Sequence, residues 1–341
     1  MSAFICPYCF AKYESKGWFG KAPQECDPCN KMGRKIDDSF IKAPSLRITV
    51  VGSKGSGKTH FFTLLIQRIR EMATDFGWSL RGLNDDTLGY DSAYKQLSQG
   101  DVRGVRSTLN STNKGTITPL HYELTCDGRT VALAFADTAG EALVNTTDIT
   151  AIGNYFVNAS AIICLIDPLQ LPRIRNEVVS AGRMREDDLP EIDKEELGSQ
   201  TGTILNRITN ILKAQLRTGQ KNKVPLAVAF SKIDALRYGG DITQGVYNTL
   251  MEESRHRSGF HEAQFNNIDA TIHSWLQRVD ASANILNQCN GFEKTGFFGF
   301  SALGQNPGMQ GVLTHALRPI RVEDPFLWLL HQNNFIKTIK R

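Results

Sequence analysis

Short apolar runs rich in β-branched and aromatic residues alternate along this chain with longer stretches whose apolar positions recur at helical spacing. The run "SLRITVV" at Ser45–Val51 predicts a strand, and "KTHFFTLLIQRIREMA" directly after the next turn predicts an amphipathic helix. Further strands are predicted at "ITPLHYELTC", "RTVALAFADT", "SAIICLIDP", "VPLAVAFSKID" and "GFFGFSAL", with helices around Thr203–Leu216, Asp269–Val279 and Pro325–Ile336. Alternation of this kind predicts an α/β fold whose sheet is mostly parallel and covered on both faces. The "CDG" turn at Cys126–Gly128 joins the first two of the later strands as a hairpin, which gives the sheet one antiparallel edge. Residues near 84–114 and 173–200 read as insertions, the second carrying the acidic run "REDDLPEIDKEE", expected to be a solvated surface.

Between the first strand and the first helix stands "GSKGSGKTH", from Gly52 through Ser53, Lys54, Gly55, Ser56, Gly57, Lys58 and Thr59 to His60. It fits the pattern G-x-x-x-x-G-K-[ST], in which backbone N–H groups wrap a phosphate chain, the lysine reaches the outer phosphates and the threonine ligates magnesium. "DTAG" at Asp137–Gly140 ends a later strand, where an aspartate can hold magnesium through water and the Gly140 amide can sense a γ-phosphate. "SKID" contributes Ser231, Lys232 and Asp234 at another strand end. The Asp234 carboxylate can accept from both N1–H and the 2-amino group of guanine, a donor pair that adenine lacks. "SAL", Ser301, Ala302 and Leu303, closes the next strand, where a backbone amide can meet guanine O6.

Composition narrows the partners. The chain's 341 residues, 41% hydrophobic and 22% charged, describe an ordinary globular protein. A formal charge of +4 is mild, so a nucleic-acid partner is disfavoured. The apolar runs fall short of the roughly 20 residues that cross a bilayer, and no basic region followed by an apolar core opens the chain, so the expectation is a cytoplasmic protein with no membrane span. Of seven cysteines, four form the array Cys6-x2-Cys9 and Cys26-x2-Cys29. Two such knuckles aim four thiolates at one zinc, which replaces the core that about 40 residues cannot build alone. With all four positions filled the metal is expected to be structural. Cys126, Cys164 and Cys289 read as inert buried thiols. Residues 1–44 are therefore read as zinc ribbon and linker, and 45–341 as the main domain. The ribbon carries seven Lys or Arg against five Asp or Glu before its thiolates are counted, which favours a protein partner.

"GSKGSGKT", "DTAG", "SKID" and "SAL" stand in the order and at the strand ends of a Ras-like GTPase domain of the translation-factor-related P-loop class, which this chain resembles over about Leu46–Phe335. The ribbon, the insertions and the ending "RVEDPFLWLL" resemble more narrowly the bacterial double-GTPase proteins. That likeness implies GTP/GDP, Mg2+ and Zn2+ as cofactors, slow hydrolysis, a switch role in a conflict or defence system, and a paired GTPase as partner. It also implies a switch threonine before the hairpin, for which Thr116 and Thr118 stand equally and Thr112 less so. Three positions depart from the family. Ser231 replaces its usual Asn or Thr, a small hydroxyl still expected to brace the phosphate loop. Glu141 stands where a water-orienting glutamine is usual, and Lys54 can supply the positive charge that this acid calls for. Two alternatives remain: a GTP-bound scaffold with little turnover, and an ATP-using P-loop ATPase or kinase.

Overall fold

The computed structural model describes residues 3–14, 26, 29, 34–102, 117–139, 149–180, 199–256, 259–280, 284–306 and 311–339. Strands β1 (Ala3–Ile5) and β2 (Lys12–Glu14) form a small antiparallel ribbon. The central sheet comprises β3 (Ser45–Gly52), β4 (Ser79–Gly82), β5 (Leu120–Cys126), β6 (Arg129–Ala139), β7 (Ala161–Ile166), β8 (Leu226–Phe230) and, after the small strand β9 (Phe260–His261), β10 (Thr295–Gly299). Its seven strands lie in the order β10-β8-β7-β3-β6-β5-β4. Strands β10, β8, β7, β3 and β6 run parallel; β5 pairs antiparallel with both β6 and β4, so it alone is reversed in the sheet. The hairpin turn is closed by Asp127 (φ 49°) and Gly128 (φ 72°), a pair of left-handed conformations that an Asp-Gly sequence adopts readily. β4 was not anticipated from the sequence: its four residues "SLRG" are mostly exposed and carry no apolar signal. A final strand, β11 (Thr338–Ile339), pairs with β9 outside this sheet.

Short α1 (Ser39–Lys42) precedes β3. Helices α2 (Lys58–Phe76), α3 (Asp86–Ser98) and, near the end of the chain, α10 (Asp324–Gln332) pack on one face through residues such as Phe61, Leu65, Leu97 and Phe326. Helices α4 (Ile149–Val157), α5 (Pro172–Ser180), α6 (Ser199–Lys213), α7 (Asp241–Leu250), α8 (Glu262–Val279) and α9 (Asn284–Cys289) cover the other. Part of the predicted insertion at 84–114 is thus the helix α3, and α8 begins earlier than its apolar spacing suggested because His261 Nδ1 accepts from Gln264 N–H and caps it. Most of the second insertion lies outside the described residues. Cys126, Cys164 and Cys289 are buried free thiols. Among the described residues no helix is long and apolar enough to cross a membrane. Because the five parallel strands share one direction, the ends of β3, β6, β7, β8 and β10 emerge along a single edge, the place where open α/β sheets hold ligands.

Candidate nucleotide site and metal centre

The glycine loop leaves β3 at Gly52, where an added Cβ would sit 2.5 Å from Ser56 Oγ and 2.7 Å from the Leu165 carbonyl oxygen. Gly55 (φ 78°) and Gly57 (φ 87°) are left-handed, and Gly57 hands directly into α2. The loop therefore presents the N-terminus of a nineteen-residue helix to the sheet edge, with Thr59 and His60 in its first turn. Lys58 Nζ folds back over the loop and donates to the carbonyls of Gly52 at 2.7 Å and Ser53 at 3.3 Å. Ser53 and Ser56 are buried, and Lys54 is exposed.

Ser56 Oγ and Asp137 Oδ1 are buried with no hydrogen-bond partner among the described residues. Burial raises the Asp137 carboxyl above the ordinary range, and the nearby Lys58 charge opposes the shift. A buried polar atom left unpaired costs about 1–3 kcal/mol, so this mouth is built for something that brings its own donors or charge. Hard oxygen donors at Thr59 and Asp137 suit magnesium. Thr118, just before β5, receives a hydrogen bond at its Oγ1 from Arg34 Nη2 at 3.1 Å. Thr112, Thr116, Gly140 and Glu141 lie outside the described residues.

At the other end of the edge, Asp234 sits in the 3-10 turn Ile233–Tyr238 and accepts from Ser301 Oγ at 2.5 Å. Ser301 Oγ in turn accepts from Gly304 N–H at 2.9 Å, so "SKID" and "SAL" form one bonded unit, with Ala302 and Leu303 half-buried beside it. Burial raises the Asp234 carboxyl, and the Ser301 hydroxyl works against it. Lys232 is left-handed (φ 51°) and its Nζ lies 2.5 Å from Asp167 Oδ2, an anchor the sequence did not announce. Ser231 does not reach the phosphate loop: its hydroxyl donates to the Ile166 carbonyl at 3.3 Å. The loop is held instead by Gln170, whose amide meets Ser53 Oγ at 2.6 and 2.8 Å. The only sequence sign of this residue is its place in "DPLQ", an Asp-Pro turn start right after β7.

In the ribbon, Cys6, Cys9, Cys26 and Cys29 bring their sulfurs within 4.8 Å of one another. Zinc–sulfur bonds of about 2.3 Å set tetrahedrally place the sulfurs about 3.8 Å apart. The Cys6–Cys29 and Cys9–Cys26 separations are 3.9 and 3.7 Å, which fits that metal. Tyr8 N–H donates to Cys6 Sγ at 3.4 Å, a hydrogen bond that supports a thiolate.

The ribbon is seated on the main body. Buried Phe10 lies 5.1 Å from the Tyr155 ring of α4, and Tyr155 Oη donates to the Tyr8 carbonyl at 2.8 Å. The Tyr8 ring meets His121 of β5 at 4.4 Å, and His121 Nε2–H donates to the Pro7 carbonyl at 3.1 Å. Segment 35–45, which the sequence reads as a linker, is also packed down: Ser39 Oγ donates to Glu123 Oε2 at 2.6 Å, and Phe40 rests 4.8 Å from His121.

Residues 46–288 match the family Double-GTPase 2. A curated relative from Mycolicibacterium smegmatis, named "Putative ESX-1 scaffolding and assembly protein SaeC", is 24% identical over 310 residues, which cover 86% of this chain and 76% of the relative.

Proposed function

The chain belongs to the double-GTPase 2 family of P-loop GTPases, and from that premise we propose that it binds GTP along the sheet edge and hydrolyses it slowly with magnesium, as a switch. The observation that carries the reading is Asp234, a carboxylate fixed by Ser301 at one end of an edge whose other end is the glycine loop. Asp234 accepts from guanine N1–H and the 2-amino group, the Lys232 stem lies along the base, and the amides of Ala302 and Leu303 face O6. Backbone amides from Ser53 to His60 wrap the phosphates, and Lys58 swings from its own loop carbonyls to the outer phosphates. Thr59 and Asp137, with Thr116 or Thr118, would hold magnesium, which supplies charge neutralisation on the phosphate oxygens. Gly140 senses the γ-phosphate. Glu141 orients the attacking water, and Lys54 offsets its charge.

Residues 45–341 form the nucleotide-binding body and residues 1–44 the module that reads it. Zinc, closed in by four thiolates, is structural. The ribbon touches Thr118 beside the first switch and Tyr155 on the helix after "DTAG", so a change in either reaches the surface that a protein partner meets. A paired GTPase in the cytoplasm, within a defence system, is the partner that the family likeness suggests. One alternative has its own support: the name of the M. smegmatis relative describes scaffolding and assembly, which favours a chain that holds GTP without useful turnover.

Thermal-shift titration with GTP, GDP and ATP, followed by phosphate release on the best ligand, separates these readings. A guanine-specific shift with slow release supports the switch, and a shift without release supports the scaffold. A shift with ATP alone refutes both.

A further inference from the structure

We infer that Gln170 is the positioning residue of the phosphate loop, standing in for the side chain that the "SKID" motif would supply. The inference rests on the reading of that loop as a GTP site. Ser231 starts from the right strand, since β8 neighbours β7, which in turn neighbours β3. Its hydroxyl is spent one strand short of the loop, on Ile166. The chain beyond Ile166 completes the span. Asp167 accepts from Leu169 N–H through Oδ1 at 2.9 Å, and its backbone carbonyl accepts from Gln170 N–H at 2.9 Å, which closes the 3-10 turn Pro168–Gln170. That turn points Gln170, 5% exposed, at the first loop residues after β3.

The contact is two-sided. Ser53 Oγ donates to Gln170 Oε1 at 2.8 Å and accepts from Nε2 at 2.6 Å, and the same Nε2 lies 3.5 Å from the Lys54 carbonyl oxygen. A primary amide offers Ser53 a donor and an acceptor from one side chain, while the Ser231 hydroxyl donates to the Ile166 carbonyl instead. The backbone of Ser53 and Lys54 sets the direction of the N–H groups that follow, so whatever fixes these two residues pre-organises the cradle before a phosphate arrives. On its other side the turn carries Asp167, whose Oδ2 holds Lys232 of the base loop. One short turn after β7 thus ties the phosphate half of the site to the base half.

The test uses the full-length zinc-loaded protein and the release rate of fluorescent GDP and GTP analogues. Gln170→Met keeps the side chain's length and packing and removes both amide groups. Its release of both nucleotides is expected to rise about tenfold, what the loss of one or two neutral hydrogen bonds gives. The unpaired Ser53 hydroxyl also lowers the nucleotide-free unfolding midpoint, and a core variant remote from the loop with the same fall, such as Ile272→Val, is expected to release nucleotide at the parent rate. Adding Ser231→Asn, which extends an amide from β8 towards the loop, is expected to recover most of the lost retention. Release at the parent rate, equally fast release from Ile272→Val, or no recovery with Ser231→Asn would each overturn the assignment. Failure of the parent protein to hold any nucleotide would refute the GTP site itself, a distinct result.

Discussion

Phe10 brings two opposing effects to the ribbon's seat on the main body. Its φ of 54° is left-handed, forced by the knuckle in which Phe10 N–H donates to Cys6 C=O at 2.9 Å and Cys6 N–H to Ala11 C=O at 3.0 Å. A bulky residue there costs about 1–2 kcal/mol. Against this, the ring is fully buried and rests on Tyr155, and cutting a buried Phe back to Ala costs about 3–5 kcal/mol. Phe10→Ala keeps the strain and loses the packing, so the ribbon should weaken by about 3–5 kcal/mol. Phe10→Gly loses the same packing but sheds the left-handed strain of about 1–2 kcal/mol, only partly offset by the greater freedom of glycine in the unfolded chain, so it should weaken less. The order parent, Gly, Ala reverses the usual advantage of Ala over Gly. Zinc transfer to a chromogenic chelator reads it: release should be fastest for Ala, by about two orders of magnitude over the parent if only about 3 kcal/mol is lost, and intermediate for Gly. Parent-like zinc retention in both variants would show that the ribbon does not rest on Tyr155. Faster loss from Gly than from Ala would refute the strain argument.

Elemental analysis should find about one zinc per chain, and Cys26→Ser should abolish it; full zinc in that variant would dismiss the four-cysteine site. His121 is held down at about 4 from an ordinary 6.5 by burial, so the unfolded chain takes up its proton first. Its contribution to stability is whole above about pH 6.5, falls as pH drops towards 4, and is smaller by about 2 kcal/mol at pH 5. The difference between parent and His121→Gln denaturation profiles over that window isolates the imidazole, and a flat difference would refute the shift. Lys54→Ala should slow single-turnover GTP hydrolysis about tenfold, roughly 1.4 kcal/mol of barrier, with GDP affinity little changed; an unaltered rate would leave Lys54 a solvated loop residue.

The candidate site's backbone geometry is legible where local sequence dictates local structure. "GSKGSGKT" needs glycines at Gly55 and Gly57 for left-handed turns, and "CDG" closes the hairpin through the same freedom. What escaped depends on contacts between residues far apart in sequence. Gln170 reaches Ser53 from 117 residues further along the chain, and nothing in "DPLQ" says how far a side chain will extend. Tyr8 and Phe10 look like parts of a self-contained metal knot, yet they are buried against His121 and Tyr155, which follow more than a hundred residues later. The helix α1 was read as linker because four residues give no period to detect. β4 pairs with β5 through its backbone and buries little, so its side chains left no pattern.

The central claim, guanine recognition by Asp234, is tested most directly by comparing GTP and xanthosine triphosphate affinities in the parent and Asp234→Asn. The substitution turns one acceptor into a donor that faces guanine's own donors, while xanthine presents a carbonyl in place of the 2-amino group. The account predicts a GTP loss of about 2–4 kcal/mol, as for one truncated charge-assisted pair, together with a gain for xanthosine triphosphate. Unchanged GTP affinity, or no gain for the xanthine nucleotide, would contradict it.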